Sequence, residues 1–206
     1  MITLLVLLVL FIGAYAGYKK GIVMQLLQTI GYVLVLIFAN DYYRVLSDKL
    51  YLLLPYPTPF APEANPYRFY EESLMLSLND SYYDISAYLM ICVAGWLIVR
   101  FLAKLISYTL ENLRAPEPLS GIGGSLLGFF VNYVGLFFVL LLLTTIPYDE
   151  IQDRLADNSL THKMVTSTPI VSNRTYQTFI LEVNQKAREE QPLMDIQTTD
   201  EENTEE

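Results

Sequence analysis

Residues 1–39 read MITLLVLLVLFIGAYAGYKKGIVMQLLQTIGYVLVLIFA. The stretch is apolar over residues 1–18, breaks at Lys19-Lys20-Gly21 and resumes as a second apolar run ending at Ala39. At about 1.5 Å of rise per residue each run makes a helix of roughly 26 Å, close to the hydrocarbon core of a thin bilayer, whereas one continuous helix would overshoot it. Unpaired backbone groups are too costly in lipid for irregular structure to cross it. The two runs are therefore expected to fold back on each other as a transmembrane hairpin, with both lysines at the headgroups. Ala14-Tyr15-Ala16 has the small-x-small form of a signal-peptide cleavage site, but the basic residues follow the apolar run instead of preceding it, so the first helix is expected to be retained.

Working outward, a third apolar stretch runs over residues 85–107 and carries Arg100 and Lys104 late in the span. Four residues apart, they share a helix face, and their long stems can snorkel to the interface. The fourth stretch, 124–146, is the most apolar and ends at Pro147 before Tyr148-Asp149-Glu150. The expected fold class is all-α, a four-span transmembrane helical protein with spans at about 2–18, 22–39, 85–107 and 124–146. Domain organisation follows as a membrane domain over 1–146, an extracytoplasmic, partly helical segment over 147–187, and a disordered acidic tail over 188–206.

The 206 residues are 53% hydrophobic and 17% charged, too apolar for an ordinary water-soluble domain. A net charge of −9 with scattered basic residues excludes a nucleic-acid surface. The single cysteine, Cys92, lies in an apolar stretch and has no internal disulfide partner. Lys19 and Lys20 in the first short loop, with Arg100, Lys104 and Arg114 around the third, are the expected cytoplasmic anchors. Both termini and the connection over 40–84 then lie outside. In that connection residues 41–54 have helical periodicity and are expected to lie along the outer interface, and a proline cluster (55, 57, 59, 62 and 66) forms a loop. Tyrosines 42, 43, 51, 56, 67, 70, 82, 83 and 88 match an aromatic belt.

Two sets of glycines are candidate helix-packing residues: Gly13, Gly17 and Gly21 at intervals of four, and Gly124, Gly128 and Gly135 around the start of the fourth span. Small residues let membrane helices approach closely when apolar burial offers no preference over lipid. Gln25, Gln28 and Asn132 are the candidate intramembrane polar contacts, expected to hydrogen-bond across helices. No Asp, Glu or His lies in a span core, which removes the residues of a proton relay. His162 is the only histidine, and the glycine run over 121–128 neither follows a strand nor carries a P-loop lysine. No catalytic, metal or cofactor residue is expected, and the chain is read as a non-enzyme.

The pattern Gly13-Ala14-x-x-Gly17-Tyr18-Lys19-Lys20-Gly21-Ile22-Val23, a second span ending near Ala39-Asn40-x-Tyr42-Tyr43, and Gly124-Ser125-Leu126-Leu127-Gly128 opening the fourth span resemble the CvpA family, the colicin V production proteins of bacteria. The resemblance covers roughly residues 1–146, and departs from the family where Ser120-Gly121-Ile122-Gly123 replaces a basic or asparagine-type residue. It implies a multi-pass protein of the bacterial plasma (inner) membrane, linked to bacteriocin (toxin) production and cell-envelope homeostasis. Relatives fused to an extracytoplasmic protease suggest a scaffold whose partners are the lipid bilayer, other copies of itself, or secretion and protease proteins. An oligomeric channel or transporter of an unassigned solute is the alternative, because four spans are too few to enclose a pore alone. A hydrolase of the outer surface using residues of the segment 149–184, His162 among them, is a third.

Overall fold

A computed structural model describes residues 2–57, 67–70, 74, 77–110, 119–168 and 171–185. The proline cluster from residue 58 onward, Arg114 and the tail over 188–206 lie outside the described residues. Among the described residues all regular structure is helical, with no strand. In order it forms α1 (Ile2–Lys20), α2 (Ile22–Leu53), α3 (Leu78–Leu110), α4 (Leu119–Thr144), α5 (Asp149–Ala156), α6 (Ser159–Ser167) and α7 (Val171–Tyr176), the last passing into a π-helical turn, Gln177–Leu181. Helices α1 to α4 are each long and apolar enough to cross a membrane.

A single residue, Gly21, joins α1 to α2. Its φ of 77° and ψ of 165° lie where only glycine sits without strain, which is how two helices meet with no loop between them. Beyond that turn the two arms touch little. Helix α1 rests mainly on α4 and α2 mainly on α3, while α4 also bears on α2. The helical periodicity of residues 41–54 is realised as a direct continuation of α2, because no Gly or Pro interrupts the chain between Ala39 and Leu54. At 32 and 33 residues α2 and α3 are about 48 Å long, well beyond a hydrocarbon core of about 30 Å, so they stand out of it as a paired pillar.

Helices α5 to α7 pack across the end of the bundle away from Gly21, forming a cap. Leu155, Met164 and Val165 join Val6, Leu10 and Leu140 in one apolar cluster. Phe179 enters another with Tyr43, Tyr83, Tyr88 and Phe137, and Ile180 a third with Tyr67, Tyr70 and Leu78. The cap is amphipathic by local design. Acidic Asp149 and Glu150 open α5 and Arg154 closes it, matching the helix dipole, and Arg154 also pairs with Glu150 one turn away. Asn158 caps α6 by accepting from the Leu160 and Thr161 amides (3.1 and 3.3 Å), and its Nδ2 donates to Thr3 Oγ1 of α1 at 2.6 Å.

The C-terminal end of α4 is held by buried side chains. Gln152, fully buried, donates from Nε2 to the carbonyl of Thr144 (2.8 Å), an acceptor the helix end leaves open, and to that of Ile146 (2.9 Å) in the turn beyond it. The Tyr56 hydroxyl donates to the Thr145 carbonyl at 2.7 Å and also lies 2.7 Å from Tyr67 Oη, and Tyr70 Oη sits 2.7 Å from Thr144 Oγ1. Burial pushes the Tyr56, Tyr67 and Tyr70 hydroxyls above their usual range, so they stay neutral hydrogen-bonding groups. The aromatic-belt expectation therefore holds for few of these residues. Tyr42 and Tyr51 are exposed, but Tyr43, Tyr67, Tyr70, Tyr83 and Tyr88 are buried between pillar and cap. Their rings meet edge to face, Phe179 lying 5.1 Å from Tyr43 and 5.4 Å from Tyr88.

Candidate functional site

The end of the bundle around Gly21 concentrates most of the residues singled out in the sequence. Helices α1 and α4 run antiparallel there with their backbones in contact. A Cβ added at Gly17 would land on the Gly124 carbonyl oxygen, one at Gly124 on the Gly17 carbonyl oxygen, and one at Gly128 on the Gly13 carbonyl oxygen. At Gly13 it would strike the Asn132 side chain, and at Gly121 the Tyr18 ring. Gly21 contributes the turn already described, and a Cβ there would also meet Ser120 Oγ at 2.6 Å. Ser120 Oγ lies 3.4 Å from the Ile22 amide, pinning the start of α2 to α4.

Gly135 is a correction. A Cβ there would stand in open space, so it takes no part in this seam. The contact row on α4 runs through Gly124, Gly128, Asn132, Leu136 and Leu140, every fourth residue, and such a row drifts about 40° around the helix per step. Gly135 has the spacing of a straight seven-residue stripe and falls off the drifting one.

The three polar residues settle in different ways, and Gln28 bonds across helices, to Lys20 of α1. Asn132 Nδ2 donates to the Gly128 carbonyl of its own helix at 2.9 Å, while its side chain fills the notch left by Gly13. Gln25 and Gln28 are both buried, 3% and 4% exposed, three residues apart on one face of α2. Gln28 Oε1 accepts from Lys20 Nζ at 2.7 Å, whereas the Gln25 carbonyl oxygen is enclosed with no donor. Thr29 Oγ1 donates to the Gln25 main-chain carbonyl at 2.7 Å.

The cations part company. Lys19 is exposed, its ammonium 5.0 Å from the Tyr15 ring centroid. Lys20, also exposed, reaches along α2 to Gln28. Arg100 lies with its guanidinium 5.0 Å from the Trp96 ring centroid, and is near enough to Lys20 for the two charges to repel. Lys104 is exposed one turn further along α3, its carbonyl accepting from Ser107 Oγ. Among the described residues, the ion pairs Arg44–Glu182 (3.2 Å), Arg68–Asp153 (2.8 Å) and Arg154–Glu150 all lie toward the cap, and none involves Lys20 or Arg100.

The cap end has the opposite character. A cleft of about 240 Å³ between the upper parts of α2 and α3 is lined by Ser47, Asp48, Tyr51, Asp80, Tyr83 and Asp84. Among the described residues no three His, Cys, Asp or Glu side chains gather as metal ligands. His162 sits beside Phe69, ring centroids 5.6 Å apart. Sequence reasoning did not single out Ser120, Gln152 or Thr144. A glutamine eight residues past a helix end carries no local signal of its partner, and Ser120 is recognisable only once α4 is known to lie against the turn.

Comparison with known proteins agrees with this architecture. A family model described as colicin V production protein matches residues 2–169. An uncharacterized transmembrane protein of Bacillus subtilis (strain 168), YshB, is 22% identical over 172 residues, covering 84% of this chain and 93% of that protein. No solved structure matches.

Proposed function

This chain belongs to the colicin V production protein family, and from that premise we propose that it supports bacteriocin production and envelope homeostasis as a non-enzymatic scaffold in the bacterial plasma membrane. The observation that carries the reading is the seam. Backbone against backbone from Gly13 to Gly128 leaves no passage between α1 and α4, which makes a rigid packed pair and opposes a pore along that seam. What such a body offers is its surface: apolar flanks on α1, α2 and α3, and a polar cap built on Gln152 and the buried tyrosines.

In the proposed orientation the Gly21 turn, with Lys19, Lys20, Arg100 and Lys104 near it, faces the cytoplasm, and both termini and the cap face outward. The proposed partners are secretion or protease proteins docking on the cap, or further copies of the chain along the helix flanks. Photo-crosslinkers at exposed Tyr176 on the cap and at exposed Phe130 on α4 test this in living cells. Capture of a secretion component or protease from position 176 is the expected result. Capture of only the chain itself from position 130, together with conductance of the purified protein in planar bilayers, would replace the scaffold with an oligomeric channel.

A further inference from the structure

The hairpin end brings two cations together with nothing among the described residues to neutralise them. Lys20 hydrogen-bonds Gln28 of α2 (2.7 Å), and Val99 of α3 packs on Gly31, one turn beyond Gln28, which sets the neighbouring Arg100 within electrostatic reach of Lys20. No span core in the sequence contains an acidic residue. Holding two like charges beside an apolar bundle is costly unless an anion accompanies them. Next to them Gln25, 3% exposed, encloses a carbonyl oxygen that no donor reaches. A buried, unmatched polar atom of this kind is costly, and a ligand that supplies the missing donor removes that cost.

We infer that Lys20 and Arg100, beside Gln28, together bind a phosphate group. The Lys20 ammonium keeps two of its three donors after the bond to Gln28, and the Arg100 guanidinium offers a planar fork that matches phosphate oxygens. Position favours the same chemistry. Basic residues at the end of a membrane hairpin stand within reach of phospholipid headgroups, and a headgroup that carries hydroxyls beside its phosphate also offers the donor that Gln25 lacks. The phosphate can come from an anionic lipid or from the aqueous phase, and both sources are separable by experiment.

The test is native mass spectrometry of the full chain, delipidated in detergent and titrated with phosphatidylglycerol or phosphatidylcholine. Phosphatidylglycerol is expected to bind in preference, with Lys20→Met and Arg100→Gln each weakening it about tenfold, the loss of one charge-assisted contact. Lys19→Met removes the same charge one residue away and is expected to change binding little. Lys20→Arg is expected to retain most of it, which separates loss of the ligand contact from loss of the fold. If millimolar inorganic phosphate displaces the lipid, the site recognises phosphate itself; if it does not, the whole headgroup is the ligand, and either result upholds the inference. Equal weakening by Lys19→Met and Lys20→Met would reduce the effect to diffuse surface charge and overturn it. Strengthened binding on replacing Glu111 and Glu117 by Gln would overturn it as well, by showing that the cations are paired within the chain.

Discussion

Two helix pairs in this molecule solve the same problem by opposite means. Between α1 and α4 the side chains are removed and the backbones touch, Gly17 on Gly124 and Gly13 on Gly128. Between α2 and α3 single glycines receive valine side chains, Gly31 under Val99 and Gly95 under Val35. Where the pair leaves the membrane, aromatic packing takes over: Tyr51 stacks edge-on against Tyr83 at 5.1 Å, and Tyr83 Oη donates to the Leu54 carbonyl at 2.7 Å. Within lipid an apolar side chain gains little by leaving hydrocarbon for protein, so closeness and dispersion decide the association. Once α2 and α3 project into water, burying large rings becomes favourable in itself. The comparison therefore contrasts a contact that depends on shape with one that depends increasingly on solvent.

The sharpest way to break the comparison is Gly17→Leu. With a carbonyl oxygen where the Cβ must go, the seam cannot close, and a loss of more than about 3 kcal/mol is expected, read as loss of protein surviving heating in detergent. Gly135→Leu, facing open space, is expected to change stability by less than about 0.5 kcal/mol in the same assay. Equal behaviour of the two would show that the seam is not what holds α1 to α4. Next in size is Gln152→Leu, which keeps the volume but strips the donors from the Thr144 and Ile146 carbonyls. About 2–3 kcal/mol is expected, visible as faster proteolysis of the cap while the spans stay protected.

Gly95→Ala sharpens the contrast from the other side. The obstacle is the Val35 side chain, which can shift where a carbonyl cannot, so a cost of about 1–2 kcal/mol is expected, well below that of Gly17→Ala in a parallel measurement. The smallest effect belongs to the exposed Arg44–Glu182 pair, about half accessible on both sides, which links the α2 pillar to the cap. A double-mutant cycle with Arg44→Gln and Glu182→Gln is expected to give a coupling below about 0.5 kcal/mol, shrinking further in salt.

Much of the architecture was legible because it is local. The break at Lys19-Lys20-Gly21 and the lengths of the apolar runs are properties of contiguous sequence, and so are the intervals of four between glycines. Partner choice is not local. Nothing in the hairpin sequence says that α1 will lie along α4 and only touch α2 near the turn, and the role of Ser120 follows from that choice. The tyrosines of the second connection read as an interfacial belt because composition at a membrane edge looks the same whether rings face lipid or a neighbouring helix. Their burial depends on the arrival of Phe179 and Ile180 from a distant part of the chain, beyond α3 and α4. Gly135 was misread for a geometric reason, since an interval of seven matches a straight stripe and the real contact follows a drifting one.

The one-residue turn at Gly21 also sets an order of events during synthesis. Helices α1 and α2 are available to enter the bilayer as a pair as soon as they are made, yet the surface that completes α1 belongs to α4, and the contact between Ile22 and Ser120 joins residues 98 positions apart. Until the fourth helix has left the ribosome, the glycine face of the first has only lipid against it, a notched surface that any other small-faced helix nearby can occupy. The last span to be made is thus the one that locks the first in place, and truncation after α3 leaves a chain whose opening helix is inserted but still unclaimed.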